Sequence, residues 1–257
     1  MTSSTAQSVL ETVRPKMRSL VVENNLLEVT TTILAKELSP EEAIGSPGRR
    51  DFPLIEGKER VIEATLLGAK GQAYTDSPRE FTGSLSQVTE LSLDQTPNRA
   101  IFLAALNALG RKIGLVSGTV HCKDKEPEEC APRIADSLYN LRQNQKIGLI
   151  GLNPAIAEAL IDRFGPKQVT ITDLQEKNIN KTKWGAEIWD GRTETERLIR
   201  ESDTIVITGT TMSNGTFDTI LQMLHQYDKN YTTYGITGAA VCSLLEIPRI
   251  CPFGRNE

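Results

Sequence analysis

The sequence predicts an α/β chain: a small α+β part followed by a Rossmann-like parallel sheet. Three observations carry this. From residue 146 onward, short apolar strands alternate with helices, the pattern of βαβ units around a parallel sheet. Before that point, strands come early and helices follow. And 257 residues are enough for one large domain or two modest ones, each with a real core. The expected division is 1–115 and 116–257.

The elements follow in order. Val9, Leu10, Val13, Met17, Leu20 and Val21 recur at helical spacing. Pro15 interrupts them as a kink or a late start. LLEVTTTILAKEL is rich in β-branched residues and reads as a strand. SPEEAIGSPGRRD, with two prolines and two glycines, reads as a loop. FPLIEGKERVIEATLLGAKGQAYTD carries short strand signals broken by glycines. SLSQVTEL is a short helix, and NRAIFLAALNALGRKIG a stronger one, with Asn98 as a cap and Gly110 or Gly114 as the stop. A polar loop then runs into a helix through PEECAPRIADSLYNL. In the second part, KIGLIGL, QVTITD, TIVITG and YTTYGIT are strands. NPAIAEALIDRFG, ETERLIRESD, NGTFDTILQMLHQYD and GAAVCSLLEI are helices. Asn153 and Pro154 suit the N-cap and first position of the first of these. The right-handed crossover rule gathers the loops and helix N-termini at the carboxyl edge of the sheet.

Composition excludes several classes of function. Apolar residues are 39% and charged residues 24%, which suits a globular chain rather than a disordered one. Aromatics are only 5% and the net charge is -4, so no nucleic-acid surface is expected. No run approaches the length of a membrane span, and MTSSTAQSVLETVRPKM does not read as a signal peptide. The four cysteines, Cys122, Cys130, Cys242 and Cys251, have no CxxC spacing. A cytoplasmic location with reduced thiols is expected.

Several residues could carry chemistry. Gly151 sits where the backbone must turn, and the N–H groups behind Asn153 would favour an anion; equally, Asn153-Pro154 could be no more than a good helix start. Asp173 ends the second strand, 22 residues after Gly151, where an acidic residue bonds ribose hydroxyls in dinucleotide folds. It could equally cap the next turn. Thr208, Gly209 and Asn214 lie in TGTTMSNGTFD, a polar segment at a strand's carboxyl end that could hold a ligand or satisfy its own helix caps. TVHCKDKEPEEC is the densest polar cluster. Within it His121 could be a general acid or base, and its thiol neighbour Cys122 a soft-metal ligand. In an extended chain the two would point to opposite sides. Cys130 is expected to face a core. GQAYTDSPREFTG concentrates Gln72, Tyr74, Thr75 and Asp76 between glycines, and reads as a turn-rich loop.

Together GQAYTDSPREFTG, NRAIFLAALNAL, TVHCKDKEPEECA, GLNPAIAEAL, TGTTMSNGTFD and RICPFGR resemble a heavy-metal-chelation domain family of unknown function. The blocks keep their order over roughly residues 25–255. The resemblance implies an enolase N-terminal-like domain followed by a Rossmann-like one, with a site between them. It further implies a condensing or hydrolytic role in chelator or heterocycle metabolism. The blocks match at Gln72, Tyr74, Thr75 and Asp76, at His121, Cys122, Lys123 and Asp124, at Gly151, Asn153 and Pro154, at Thr208, Gly209 and Asn214, and at Cys251 and Arg255. The turn at Gly151 lacks the three-glycine fingerprint, which argues against a dinucleotide.

The leading functional expectation is a protein that binds or transforms a small polar heterocyclic or chelator-like metabolite of pterin, flavin or siderophore type. It would do so in a crevice between the domains, with His121 or Asp76 as acid or base. The alternatives are a non-catalytic protein that binds a metal or metal chelate through Cys122 and Cys251, and a methyl-donor-dependent transferase. No cofactor can be assigned. Neither nucleic acid nor membrane is an expected partner. The apolar face of NRAIFLAALNAL is either core or the surface of a homodimer.

Overall fold

The computed structural model describes residues 8–27 and 33–256. Of the strand read over LLEVTTTILAKEL, residues 28–32 lie outside the described part. Helix α1 (Val9–Glu23) is followed by β1 (Ile33–Leu38), α2 (Pro40–Ile44) and α3 (Pro53–Glu56). Then come β2 (Arg60–Leu66), β3 (Ala69–Thr75), β4 (Phe81–Gly83), α4 (Leu85–Thr89) and α5 (Thr96–Lys112). These four strands form an antiparallel sheet of order β3-β2-β1-β4.

The second part begins with α6 (Glu126–Leu141), β5 (Ile147–Ile150) and α7 (Pro154–Phe164), and a 3-10 turn leads into β6 (Val169–Asp173). A hairpin follows, β7 (Thr182–Lys183) and β8 (Ala186–Asp190), then α8 (Thr195–Glu201) and β9 (Thr204–Thr208). The chain closes with α9 (Thr210–Asn214), α10 (Phe217–Gln226), β10 (Asn230–Tyr234), α11 (Ala239–Leu245) and β11 (Arg249–Ile250). The sheet order is β11-β10-β9-β5-β6-β8-β7. All neighbours are parallel except the β7–β8 pair. Numbering the parallel strands by their appearance gives 3-2-1-4-5-6, the doubly wound order whose ligand crevice lies where the winding reverses. That reversal falls between β5 and β9.

Several local expectations are corrected. SPEEAIGSPGRRD is not all loop: Ser39 and Glu42 form a reciprocal capping box that starts α2. GQAYT is not a loop but most of β3. Gly71 is there because α5 lies directly on the strand; a Cβ at that point would collide with the Ala104 carbonyl and the Ala108 amide. Asn98 does not cap α5. It lies within the helix and donates to the Ser92 carbonyl at 2.7 Å. Helix α5 is buried from Ala100 through Gly110, so its apolar face is core rather than a free dimer surface. Pro15 sits inside α1 without ending it.

Helix α5 also joins the two sheets. The buried Asn107 amide donates to the carbonyls of Gln72, Ile236 and Thr237 at 2.9–3.0 Å and accepts from Ala240 N–H at 2.9 Å. Close by, Tyr74 N–H donates to Thr237 Oγ1 at 3.1 Å. The edge of the antiparallel sheet is thereby pinned to the β10–α11 turn. One apolar cluster runs from α1 and α5 to α10 and α11. The other packs Ile44, Phe52 and Leu54 against α6, α7 and the face of the parallel sheet. Among the described residues no helix is long and apolar enough to cross a membrane.

Candidate functional site

The site is built on the turn after β5. Gly151 has φ +87°, and a Cβ there would collide with Thr208 Cγ2 at the end of β9. Only glycine lets the two strand ends approach so closely with that backbone. Gly151 N–H donates to the Thr172 carbonyl at 2.9 Å, and its own carbonyl accepts from Tyr234 Oη at 3.0 Å. Leu152 N–H donates to Asp173 Oδ2 at 2.8 Å. Asn153 Oδ1 accepts from the N–H groups of Ala155 and Ile156 at 3.1 and 3.2 Å. The helix start is therefore satisfied by its own cap, and the donors expected for an anion are already engaged.

Over this turn lies a cavity of about 880 Å³, including its open mouth. Ile44, Phe52 and Leu54 wall one side, with Ile134 of α6 and Ile156 of α7. Glu59, Tyr74, His121 and Asp173 supply its polar groups, with Thr208 and Tyr234 at the strand ends. A second chamber of about 1540 Å³, also including open space, adjoins it along the carboxyl edge. The two share Glu59, Gly151, Asp173, Thr208 and Thr210. Thr172 lines the second chamber, and its buried Oγ1 has no hydrogen-bond partner among the described residues.

Glu59 is the electrostatic centre. Burial raises its carboxyl to about 7, helped by the negative charges of Asp173 and Asp76. Its carboxyl has no hydrogen-bond or ion-pair partner among the described residues, whereas Asp173 accepts from Leu152 N–H and, at 2.6 Å, from Gln175 N–H. Burial also raises Asp173, and these backbone donors oppose the shift. His121 goes the other way. Burial lowers it to about 4, so its imidazole is neutral at pH 7. Its Nδ1 is buried without a hydrogen-bond partner among the described residues, and its ring meets Tyr74 edge-on at 5.5 Å. Burial raises the Tyr74 and Tyr234 phenols, which stay protonated as donors.

The thiols do not form a metal cage. Cys122, Cys130 and Cys242 are buried and Cys251 partly so. Burial raises all four, Cys130 to about 12, so without a metal they are protonated thiols, and a metal would have to displace those protons. Cys242 lies apart, 3.3 Å from Thr233 Oγ1. Among the described residues no group of three or more His, Cys, Asp or Glu side chains is arranged to hold a metal ion.

The structure gathers Tyr74, His121, Cys122, Gly151, Asn153, Asp173, Thr208 and Gly209 around the first chamber. His121 and Cys122 line the same cavity rather than opposite sides, because this stretch is not regular strand. Asn214 lines the second chamber, and its Oδ1 accepts from Thr216 N–H. Gln72 is buried beside the site. It donates to Glu63 and accepts from His121 N–H at 2.8 Å, which fixes the histidine's backbone. Thr75, Lys123, Asp124 and Pro154 serve the local fold: Thr75 Oγ1 accepts from Ser77 N–H, Lys123 N–H bonds Glu126, Asp124 Oδ1 accepts from Ser46 N–H, and Pro154 opens α7. Asp76 is exposed and reaches the site through its charge. Arg255 forks onto Glu126, with bonds of 2.9 and 3.0 Å.

Sequence reasoning missed Glu59 and Tyr234. Glu59 sits just before β2 in EGKERV, with no motif around it. Tyr234 ends β10, where the carboxyl-edge rule could have found it.

Fold and site together define a two-sheet α/β protein with a small-molecule-sized crevice at the switch point of a doubly wound sheet. Residues 134–240, from within α6 to the start of α11, match the DUF364 family model, whose description is "Putative heavy-metal chelation". The resemblance read from the sequence holds over that segment. Two solved structures are similar. One is a DUF364 protein of unknown function from Pyrococcus horikoshii, 17% identical, covering 90% of this chain and 79% of that one, with a TM-score of 0.52. The other, of unknown function from Desulfitobacterium hafniense, is 15% identical, covers 92% and 83%, and has a TM-score of 0.50. At these identities the likeness concerns the fold. No curated protein matches the chain.

Proposed function

We propose that this protein binds a small polar, ring-bearing metabolite in the crevice between its first part (1–115) and its parallel-sheet part (116–257). We propose also that it acts on that ligand by proton transfer. The observation that carries this reading is Glu59: an unpartnered carboxyl on the wall shared by both chambers, with its proton affinity raised to about 7. A group so placed can take or give a proton at neutral pH. His121 is the second polar contact, as a neutral imidazole. Asp173 holds the Gly151–Leu152 turn. Phe52, Leu54 and Tyr74 offer walls for a flat ring. Hydrolysis and condensation of a heterocyclic or chelator-like compound both need such a proton relay.

Native mass spectrometry of gently purified protein tests this. An organic adduct present in the wild type and lost in Leu54→Trp, which fills the chamber, supports the reading. A metal-sized increment removed by a chelator, with no organic mass, contradicts it. That result would favour a second reading, supported by the family description and by Cys122 and Cys130 on the cavity wall: sequestration of a metal.

A further inference from the structure

We infer that the ligand of the first chamber presents an amidine-type or ammonium N–H group to Glu59, so that the cavity selects organic cations and N–H donors over anions. This deepens the binding reading above and rests on it.

Among the described residues Glu59 lacks the hydrogen-bond donors that its neighbour Asp173 has. A carboxylate drawn partly out of water, as the half-buried Glu59 is, loses hydration that a hydrogen-bonded partner would replace. Two acids, Glu59 and Asp173, line the chamber, and no lysine or arginine is among its described lining residues. Asp173 has backbone donors; Glu59 has none. Lys183 reaches Asp173 through its charge and bonds Asn178 Oδ1 at 3.4 Å, and three further cations are engaged outside the chamber. Arg60 pairs with Glu37, Lys177 reaches the Glu56 carbonyl, and Arg192 bonds Asp190 and the Leu174 carbonyl. The other usual source of positive potential, the start of α7, is closed by Asn153. An incoming carboxylate or phosphate would therefore meet two acids, with the N–H groups of Gly151, Leu152, Ala155 and Ile156 already engaged. An amidine-type edge would give Glu59 two parallel N–H···O bonds, the strongest pairing open to a carboxylate. The apolar walls at Phe52, Leu54 and Ile236 would take the ring behind it.

Three probes of equal size separate the possibilities: benzamidine, benzamide and benzoate, titrated by calorimetry. Benzamidine is expected to bind at least about tenfold tighter than benzoate at pH 8. Glu59→Gln should erase that preference. The wild-type preference should also fall between pH 8 and 5.5 as Glu59 gains its proton, while benzamidine stays charged. The groups facing Glu59 are Asp173, Asp76, Tyr74 and Tyr234, with His121 across the chamber. His121 charges only near pH 4. A pH dependence that persisted in Glu59→Gln would belong to the aspartates and would overturn the assignment to Glu59. Benzoate binding as tightly as benzamidine, and blocked by Leu54→Trp, would overturn the inference and leave the crevice reading standing. Failure of all three probes to bind would remove both.

Discussion

Asp173 raises the proton affinity of Glu59 while its own carboxylate is occupied by the backbone. One acid shapes the turn and the other is left with nothing to bind. The folded protein therefore holds a proton on Glu59 that the unfolded chain, with an ordinary glutamate near 4.5, has already lost. Between pH 4.5 and 7 the native state binds more protons, so this group's contribution to stability falls as pH rises. Glu59→Gln should stabilise the protein by about 2 kcal/mol at pH 8 and by little at pH 4. Denaturant unfolding at the two pH values checks this. An equal effect at both would mean that the charge is not what the fold opposes.

His121 has the opposite sign. Its folded value is lowered from 6.5 to about 4, so the unfolded chain binds the extra proton in that window. Its neutral form adds stability above pH 6.5, and this is lost as pH falls toward 4. His121→Gln should flatten the decline of melting temperature between pH 6.5 and 4 relative to wild type. Parallel declines would remove His121 as a source of acid sensitivity.

Asn107 is expected to be the most sensitive polar position of the joint between the sheets. Asn107→Leu leaves the carbonyls of Gln72, Ile236 and Thr237 and the Ala240 N–H without this partner. A loss of about 3 kcal/mol or more is expected, since buried groups stripped of partners bear their desolvation cost. Chemical denaturation measures it. A loss under about 1 kcal/mol would mean that other groups or water replace the amide.

Gly151→Ala should destabilise through two separable causes, the positive φ and the collision with Thr208 Cγ2. Together they are expected to cost roughly 1–3 kcal/mol. Thr208→Ser removes the colliding methyl and keeps the hydroxyl, so the double variant should recover part of the loss but not the φ strain. A double-mutant cycle with no coupling would show that the two strand ends do not touch there.

Much of the fold was legible because its signals are local. Each βα step from Ile147 to Leu245 carries its own apolar strand, turn and helix start, and Asn153-Pro154 behaves as its sequence suggests. Hairpin β7–β8 was not legible. Strand β7 has only two residues, β8 only five, and the turn between them relies on Trp184 and Gly185, both with positive φ. Strand β3 looked like a loop because Gly71 answers to a helix that follows it much later in the chain. In the site, Tyr74 and His121 stood out through local polar density. Glu59 could not, because its proton affinity is raised by burial, and further by Asp173 and Asp76, all of which only the fold brings about.

Glu59 is a carboxyl poised near neutrality. Carbon-13 NMR titration of the glutamate side-chain carboxyls, with Glu59→Gln as the assignment control, tests it most directly. One glutamate is expected to titrate near pH 7, and its signal to vanish in the variant. If every glutamate carboxyl titrates below about pH 5, in the ordinary range, then Glu59 is solvated or paired, and the proposed proton relay has no relay group.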